Sequence, residues 1–211
     1  MLPGLGSAIV AGLLGPPTKT WIAHDFRSPN STTHSRTGMS LGTPSSDRLI
    51  VCGVTGFAAA SQTVVSATIG GISATVIVTR NSSFFNSIFA APVPTGTTGD
   101  INITFSGTVQ ESSLGIYAVT GLSSFTALAS GENGGSSPRS VALNGVNGAV
   151  IIGVAKGQTS SGYRFSAPAE LLQDFVHSNS ESYGSMISSV DNVTVTAVDA
   201  GNLGMAAAAF R

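Results

Sequence analysis

The chain has 211 residues, of which 42% are hydrophobic and only 9% are charged, and its formal net charge is −1. This balance excludes an intrinsically disordered chain, which combines low hydrophobicity with high net charge, and the lack of a basic cluster argues against nucleic acid or an anionic membrane as a partner. The single cysteine, Cys52, excludes a disulfide scaffold within one chain and is expected to be a small buried core residue.

The N-terminal segment 1–17 is apolar, and we expect it to act as a docking arm. Met1 to Leu14 contains no Lys or Arg, so the basic region of a secretory signal is missing. It is also shorter than the roughly 20 apolar residues of a membrane-spanning helix, and Pro16-Pro17 ends it. Because an exposed apolar tail is a liability on a free monomer, the arm is predicted either to bury itself in a neighbouring subunit or to fold back on its own domain.

Strands are predicted along the first half of the chain. Thr18–Arg27 is a first strand, and Ser28–Ser46 is a long loop with at most one short edge strand. Asp47–Phe57 contains a continuous apolar run, which is typical of a strand buried on both faces. Two β-branched runs flank Gly70-Gly71, and these glycines predict a two-residue hairpin turn because both can take positive φ. Further strands are expected at 84–92, 101–105 and 114–122.

The second half is predicted to contain the same kind of elements. Gly131–Pro138 is expected to be a flexible break, and 144–148 contains two Asn-Gly turn signals. A buried strand is predicted at 149–157. The other predicted strands lie at 125–130, 141–143, 170–177, 183–190, 193–198 and 203–210, with two helical turns over 169–175 as the alternative for one of them.

Short strands separated by turn signals predict the fold class, in a chain dominated by Ser, Thr, Val, Ile and Gly, which are weaker helix formers than Ala or Leu. We expect an all-β, antiparallel β-sandwich of jelly-roll type with an extended N-terminal arm. A single domain is predicted over 18–211.

Two pairs of segments are similar between the halves of the chain: 49–56 with 150–157, and 115–119 with 204–210. This similarity suggests duplicated halves, 47–122 and 148–210. Two such halves folded together would make one double-sheet jelly roll.

No pattern in the sequence specifies a reaction. The histidines His24, His34 and His177 lack the His-x-x-x-His spacing of a zinc site. No Gly-x-Ser-x-Gly lies between a predicted strand and a helix, which is the context that a nucleophile elbow needs. A glycosidase pair would come from acidic residues that mostly lie in predicted loops, where solvated charge is the usual role: Glu111, Glu132, Glu170, Asp174, Glu181, Asp191 and Asp199. We therefore expect no catalytic residue, no metal ligand and no cofactor.

Aromatic side chains offer one further kind of site. Trp21, Tyr163 and Tyr183 could stack on sugar rings, and the alternative is that they plug the edges of the sandwich. Coplanar, exposed aromatic rings on one face would distinguish a carbohydrate-binding module from a purely structural protein.

Three runs carry a resemblance to a known group of proteins: Ala67–Thr75, which contains the Gly-Gly turn, Ile88–Ile101 with Pro-Val-Pro-Thr-Gly-Thr, and Gly115–Leu122. Over 47–122 the chain resembles small structural proteins of tailed bacteriophages, which are usually β-sandwich proteins. The resemblance implies a non-enzymatic virion component, of head-decoration, collar or tail-associated type, that packs in many copies. Its partners would be copies of itself and other virion proteins, reached through the arm. The alternative is a carbohydrate- or receptor-binding module on the virion surface, with a host glycan as the partner.

Overall fold

The computed structural model describes residues 15–157, 164–166, 172–177, 180–198 and 202–211 of the chain. Within these residues the protein is all-β, with sixteen strands and no helix, as the sequence predicts. The strands are β1 (Thr18–Arg27), β2 (Ser31–Ser40), β3 (Leu49–Gln62), β4 (Val64–Ile69), β5 (Ile72–Arg80), β6 (Ser82–Pro92), β7 (Thr98–Val109), β8 (Glu111–Thr120), β9 (Ala129–Ser136), β10 (Arg139–Asn144), β11 (Val150–Gly157), β12 (Arg164–Ser166), β13 (Leu172–His177), β14 (Glu181–Ile187), β15 (Asn192–Val198) and β16 (Asn202–Phe210).

The predicted hairpin is confirmed at the turn between β4 and β5. Gly70 and Gly71 have φ angles of 58° and 81°, a region that glycine adopts freely and other residues adopt at a cost. Ile69 pairs directly with Ile72, so the two glycines are the turn residues. The local sequence therefore sets the register of this hairpin.

Strands β1 to β8, which we call the first unit, form one antiparallel sheet that folds over on itself. Its strand order is β1-β8-β3-β6-β5-β4-β7-β2. Strands β1-β8-β3-β6 form the inner layer and β4-β7-β2 the outer layer, while β5 pairs with β6 of one layer and β4 of the other. Two layers joined in this way make a jelly roll. Apolar residues from both layers, such as Ile50, Phe89 and Ile103, fill the space between them.

Strands β9 to β16, the second unit, repeat this order. Their two sheets run β9-β16-β11-β14-β13 and β12-β15-β10. Adding eight to each strand number of the first unit reproduces every neighbour except the β4–β5 pair. The similar segments lie at equivalent places, because 49–56 and 150–157 belong to the central strands β3 and β11, and 115–119 and 204–210 belong to β8 and β16 beside them.

Each half of the chain thus carries a full set of eight strands, whereas the sequence suggests one jelly roll assembled from both halves. The physical reason is that every described strand pairs within its own unit. That residues 18–211 form a single domain stays a prediction.

The two units pack against each other through their inner layers. A core that contains Val51, Ile152 and Tyr183 lies between β3 and β11 and their neighbours, and another, with Ile151 and Val195, fills the second unit. Strands β3 and β11 are therefore covered on both faces. This arrangement confirms the two-sided burial predicted for Asp47–Phe57 and explains why both strands are continuous apolar runs.

Glycines allow the inner layers to approach each other closely. A Cβ atom on Gly53 would lie 2.2 Å from Cγ1 of Val154, and one on Gly115 would lie 2.5 Å from Cδ1 of Tyr183. Both distances are far shorter than the optimal separation of carbon atoms, about 3.5–4.0 Å. The absence of a side chain at these positions is therefore a requirement of packing.

We expect Gly53→Ala to lower the free energy of unfolding by about 1–3 kcal/mol, because the added methyl group must displace Val154 in a filled core. Denaturant unfolding monitored by circular dichroism measures this change. Val154→Ala removes the clashing methyl group, so the double variant should lose less stability than the sum of the two single variants. Strict additivity would contradict this account of the glycine.

Over Ser28–Ser46 the prediction of a long loop with at most one short edge strand is wrong in length, because the edge strand β2 has ten residues and occupies much of the segment. Along β2, His34 and Arg36 point inward and are buried, while Thr33 and Ser35 point outward. The usual alternation of apolar and polar residues is missing because polar side chains face the interior. Hydropathy alone therefore does not reveal this strand.

The flexible break predicted over Gly131–Pro138 is also wrong, since β9 extends to Ser136. A Cβ atom on Gly134 would lie 2.0 Å from Nε of Arg80, a residue of the first unit. The glycine makes room for that side chain and does not serve as a hinge. The strand predicted at 125–130 is mostly a connector, and β12 was not predicted.

Two sequence predictions fall partly on residues outside the described ranges. Residues 1–14 of the arm are outside them, and Gly15 to Pro17 lie against Gly121, with atoms 3.0 to 3.2 Å from its Cβ position. At 172–177 the chain forms β13, so within the described residues the helical alternative for 169–175 is wrong.

Candidate functional site

Side chains close the seam between the two edges of the first unit. β1 and β2 are the terminal strands of the eight-stranded sheet, and Asp25 Oδ2 lies 3.1 Å from Arg36 Nε across them. Arg36 Nη2 also donates to the carbonyl and the hydroxyl of Ser112, at 3.1 and 2.7 Å. Because Arg36 is fully buried, these contacts replace part of the hydration that its charge loses.

His34 belongs to the same buried cluster. Its Nε2 lies 3.2 Å from the carbonyl oxygen of Val109, which can only accept, so Nε2 carries the hydrogen. Its Nδ1 then accepts from the hydroxyl of Ser112 at 2.5 Å. Burial lowers the pKa of His34 below its ordinary value of 6.5, and the positive charge of Arg36 lowers it further. The folded protein therefore holds this imidazole neutral.

This lowered pKa predicts a loss of stability in acid. As the pH falls below 6.5, the unfolded chain binds a proton at His34 that the folded chain refuses, so the free energy of unfolding decreases. The decrease reaches at most about 1.4 kcal/mol per pH unit for one group. Denaturant unfolding at about pH 7.5 and 5.5, on either side of the ordinary histidine pKa, should show a smaller change for His34→Gln than for the native chain. An equal change in both proteins would argue against this assignment.

Ser113 and His24 form a second serine–histidine pair. Ser113 Oγ lies 2.6 Å from Nε2 of His24, within the range of a nucleophile and its base. Ser112 and Ser113 are both fully buried between layers, so no path leads a substrate carbonyl to either oxygen. The backbone of His177 belongs to β13.

Aromatic rings fill one end of the junction between the units. Trp21 stacks on Phe175, with centroids 5.6 Å apart and an interplanar angle of 14°, and meets the edge of Tyr117 at 5.0 Å. Tyr183 is fully buried beside them. Trp21 and Tyr183 therefore plug an edge of the sandwich, which is the alternative to sugar stacking that the sequence left open. Tyr163 lies outside the described residues.

A buried ion pair also crosses the junction. Lys156 Nζ lies 2.6 Å from Oε1 of Glu181 and 2.9 Å from Oε1 of Glu111. The side chains of Lys156 and Glu181 are 3% and 1% exposed, while Glu111 is at the rim with 35%. Glu181 is the direct cross-strand partner of Lys156, and Glu111 comes from the first unit. The lysine thus neutralises carboxylates of both units.

The other acidic candidates make contacts of their own. Glu132 Oε2 lies 3.7 Å from Nε of Arg80, and Asp174 accepts a hydrogen bond from Ser185. Within the described ranges, no three His, Cys, Asp or Glu side chains are placed to hold a metal ion. Asp191 is exposed before β15, and two candidates lie outside the described residues, Glu170 and Asp199.

Arg48 organises one end of the first unit, and the sequence reasoning missed it. Its guanidinium is fully buried and donates to five backbone carbonyl oxygens at 2.7 to 3.0 Å: those of Val93, Leu41, Gly42, Thr95 and Gly96. One side chain thus joins two segments, 41–42 and 93–96. The only local signal was a charged residue directly before an apolar run.

The outer layer of the first unit has an outward face of short, uncharged polar side chains, which we call the hydroxyl face. Two rows of side chains cross β2, β7 and β4: Thr33, Thr104 and Ser66, and then Ser35, Asn102 and Thr68. Asp100 stands at one end of β7, where its carboxylate accepts from the backbone N–H of Gly38 at 2.8 Å. The face offers hydrogen bonds without charge.

The connector 121–128 joins the units and exposes apolar side chains. Phe125 and Leu128 are each 42% exposed. Beside them a cleft of about 290 Å³ opens between the units, lined by Thr75, Val76, Ile77, Ala90, Phe125, Thr126, Ala127 and Ser130. None of the described residues that line this connector cleft is ionisable.

Comparison with known proteins gives no match from which a function could be inferred. No protein-family model matches the chain, and no curated protein matches it. Among the residues that the structure describes, no helix is long and apolar enough to cross a membrane.

Proposed function

We propose that the chain is a non-enzymatic structural subunit of a bacteriophage particle, which packs in many copies against copies of itself and other virion proteins. The hydroxyl face is the observation that carries this proposal. Further support comes from the resemblance of 47–122 to structural proteins of tailed bacteriophages, and from the jelly-roll units, an architecture used by viral capsid domains.

The hydroxyl face suits burial against another subunit. Charged side chains normally keep soluble proteins apart, and their burial costs several kcal/mol per ion. Hydroxyl and amide groups cost far less to desolvate, and they regain hydrogen bonds from a partner surface. Thr33, Ser35 and Ser66 are exposed on this face, so a partner can contact them directly. Repeated contacts of this kind are what an assembly of many copies requires.

Charges placed on the hydroxyl face test the proposal. Thr33→Arg with Ser35→Arg should suppress self-assembly, because like charges would then meet or be buried at the interface. The mass of purified protein is followed by light scattering and sedimentation over a range of concentrations, and electron microscopy locates the subunit in the assembled material.

Gln110→Arg with Asn147→Arg is the matched control, since both residues are exposed in turns and the added charge is the same. Both double variants should unfold at the same denaturant concentration as the native chain. Assembly suppressed equally by the two variants, or a native chain that stays monomeric at the highest concentration, would overturn the proposal.

A further inference from the structure

The junction between the units is closed differently at its two ends. The shared strand order makes β1 equivalent to β9 and β5 equivalent to β13. One end of the junction lies near β1 and β13, and the equivalent end lies near β9 and β5. At the first end the stacked rings of Trp21 and Phe175 fill the space. At the second end the connector cleft, about 290 Å³ in volume, stays open.

The chemistry of the connector cleft selects an apolar chain segment. Part of its wall is apolar, from Val76, Ile77, Ala90 and Ala127, and none of its described lining residues is charged. Phe125 and Leu128 add exposed apolar surface at its rim. The hydroxyl groups of Thr75, Thr126 and Ser130 are also in the lining, and such groups can satisfy the backbone of an extended peptide. Apolar side chains on a bare backbone therefore match it better than a charged or strongly polar ligand does.

The segment 1–14 has this chemistry. It contains no ionisable side chain, and small glycine and alanine residues separate its large apolar ones, which are Met1, Leu2, Leu5, Ile9, Val10, Leu13 and Leu14. The segment joins the structure at Gly15 to Pro17, which lie against Gly121, the first residue of the connector that carries Phe125. The segment and the cleft thus meet at one region of the surface.

We propose that the connector cleft is the seat of the segment 1–14 of a second copy, so that exchanged arms link neighbouring subunits. This inference rests on the proposed function and names its contact. Phe125 is four residues after Gly121, so a copy's own cleft lies within about 14 Å of its arm exit, whereas fourteen extended residues span about 50 Å. The interrupting glycines and proline disfavour a compact helix. Most of the apolar residues would therefore pass beyond the chain's own cleft and reach a neighbour.

Disulfide trapping between two kinds of chain tests this contact. Chains carrying Ile9→Cys are mixed with chains carrying Thr126→Cys under mild oxidation, and the products are separated by non-reducing electrophoresis and weighed by mass spectrometry. We expect a disulfide-linked pair with one chain of each kind. Native Cys52 is fully buried and does not compete. Adding Phe125→Asp to the second chain should lower the yield about tenfold, because the new charge would be buried against an apolar segment.

Gln110→Cys, in an exposed turn, replaces Thr126→Cys in the control mixture. A mixed disulfide no more abundant than in this control would overturn the inference. So would a chain carrying both Ile9→Cys and Thr126→Cys that closes its disulfide only within itself, since the arm would then seat on its own cleft. If the native chain assembles in either case, this contact fails while the proposed function survives; a native chain that never assembles defeats the proposed function itself.

Discussion

Arg48→Met is expected to lower the free energy of unfolding by about 3–5 kcal/mol, a large part of the stability of an ordinary domain. The methionine fills much of the space of the arginine stem, so the loss comes from hydrogen bonding. Five carbonyl oxygens lose their donor at once. The bonds to Val93 and Leu41 are buried, and a buried acceptor left without a partner costs about 1–3 kcal/mol.

Urea unfolding followed by tryptophan fluorescence measures the effect, since Trp21 lies in the first unit. Arg48→Lys keeps the charge but replaces the planar fork with three donors, so it should fall between the native chain and Arg48→Met. Arg27→Met is the matched control, because Arg27 is exposed and its ion pair with Asp25 is a surface contact worth less than about 1 kcal/mol. Equal losses for Arg27→Met and Arg48→Met would refute the role assigned to Arg48.

Lys156→Met is expected to cost about 3–5 kcal/mol, because it leaves the buried carboxylate of Glu181 without its cation. Glu181 is 1% exposed and lies 2.6 Å from the ammonium group in the native chain, so the substitution removes a close and buried charge contact. The same substitution removes the contact to Glu111, which tethers the first unit to the second.

A double variant separates the buried charge from the packing. Lys156→Met with Glu181→Met removes both members of the buried pair, and apolar replacements of such pairs are often neutral or stabilising. The double variant should therefore recover at least half of the stability that Lys156→Met loses, as measured by urea unfolding. A double variant less stable than Lys156→Met would show that the pair does not stabilise the protein through mutual neutralisation of its charges.

The elements that could be predicted are those whose signal is local. β1 follows Thr18–Arg27, and the Gly70-Gly71 hairpin follows from two residues that accept positive φ. The continuous apolar run of β3 correctly predicted burial on both faces, because a strand between two layers needs apolar residues on both faces.

The elements that could not be predicted depend on partners distant in sequence. The strand β2 has the sequence of a loop because its inward residues, His34 and Arg36, are polar and contact β1 and β8. Strand β9 has the sequence of a flexible break because Gly134 makes room for Arg80 of the other unit, while Gly131 and Gly135 lie against Val141 and Arg139. No composition rule signals either case, since polarity and glycine content ordinarily mark turns.

The candidate sites show the same division. The sequence indicated a weakly charged surface, and the hydroxyl face agrees with it. Arg48 and the connector cleft were missed, because one depends on five carbonyl groups from separate loops and the other on two units meeting.

The amino-acid sequence by itself determined that this protein is all-β and where most strands lie, since alternation, apolar runs and turn residues act over a few positions. Only the tertiary structure decided that each half completes its own eight-stranded order and that the inner layers meet at Gly53 and Lys156. Strand pairing and the burial of charge are interactions between distant residues, and their energies depend on which partners the fold brings together.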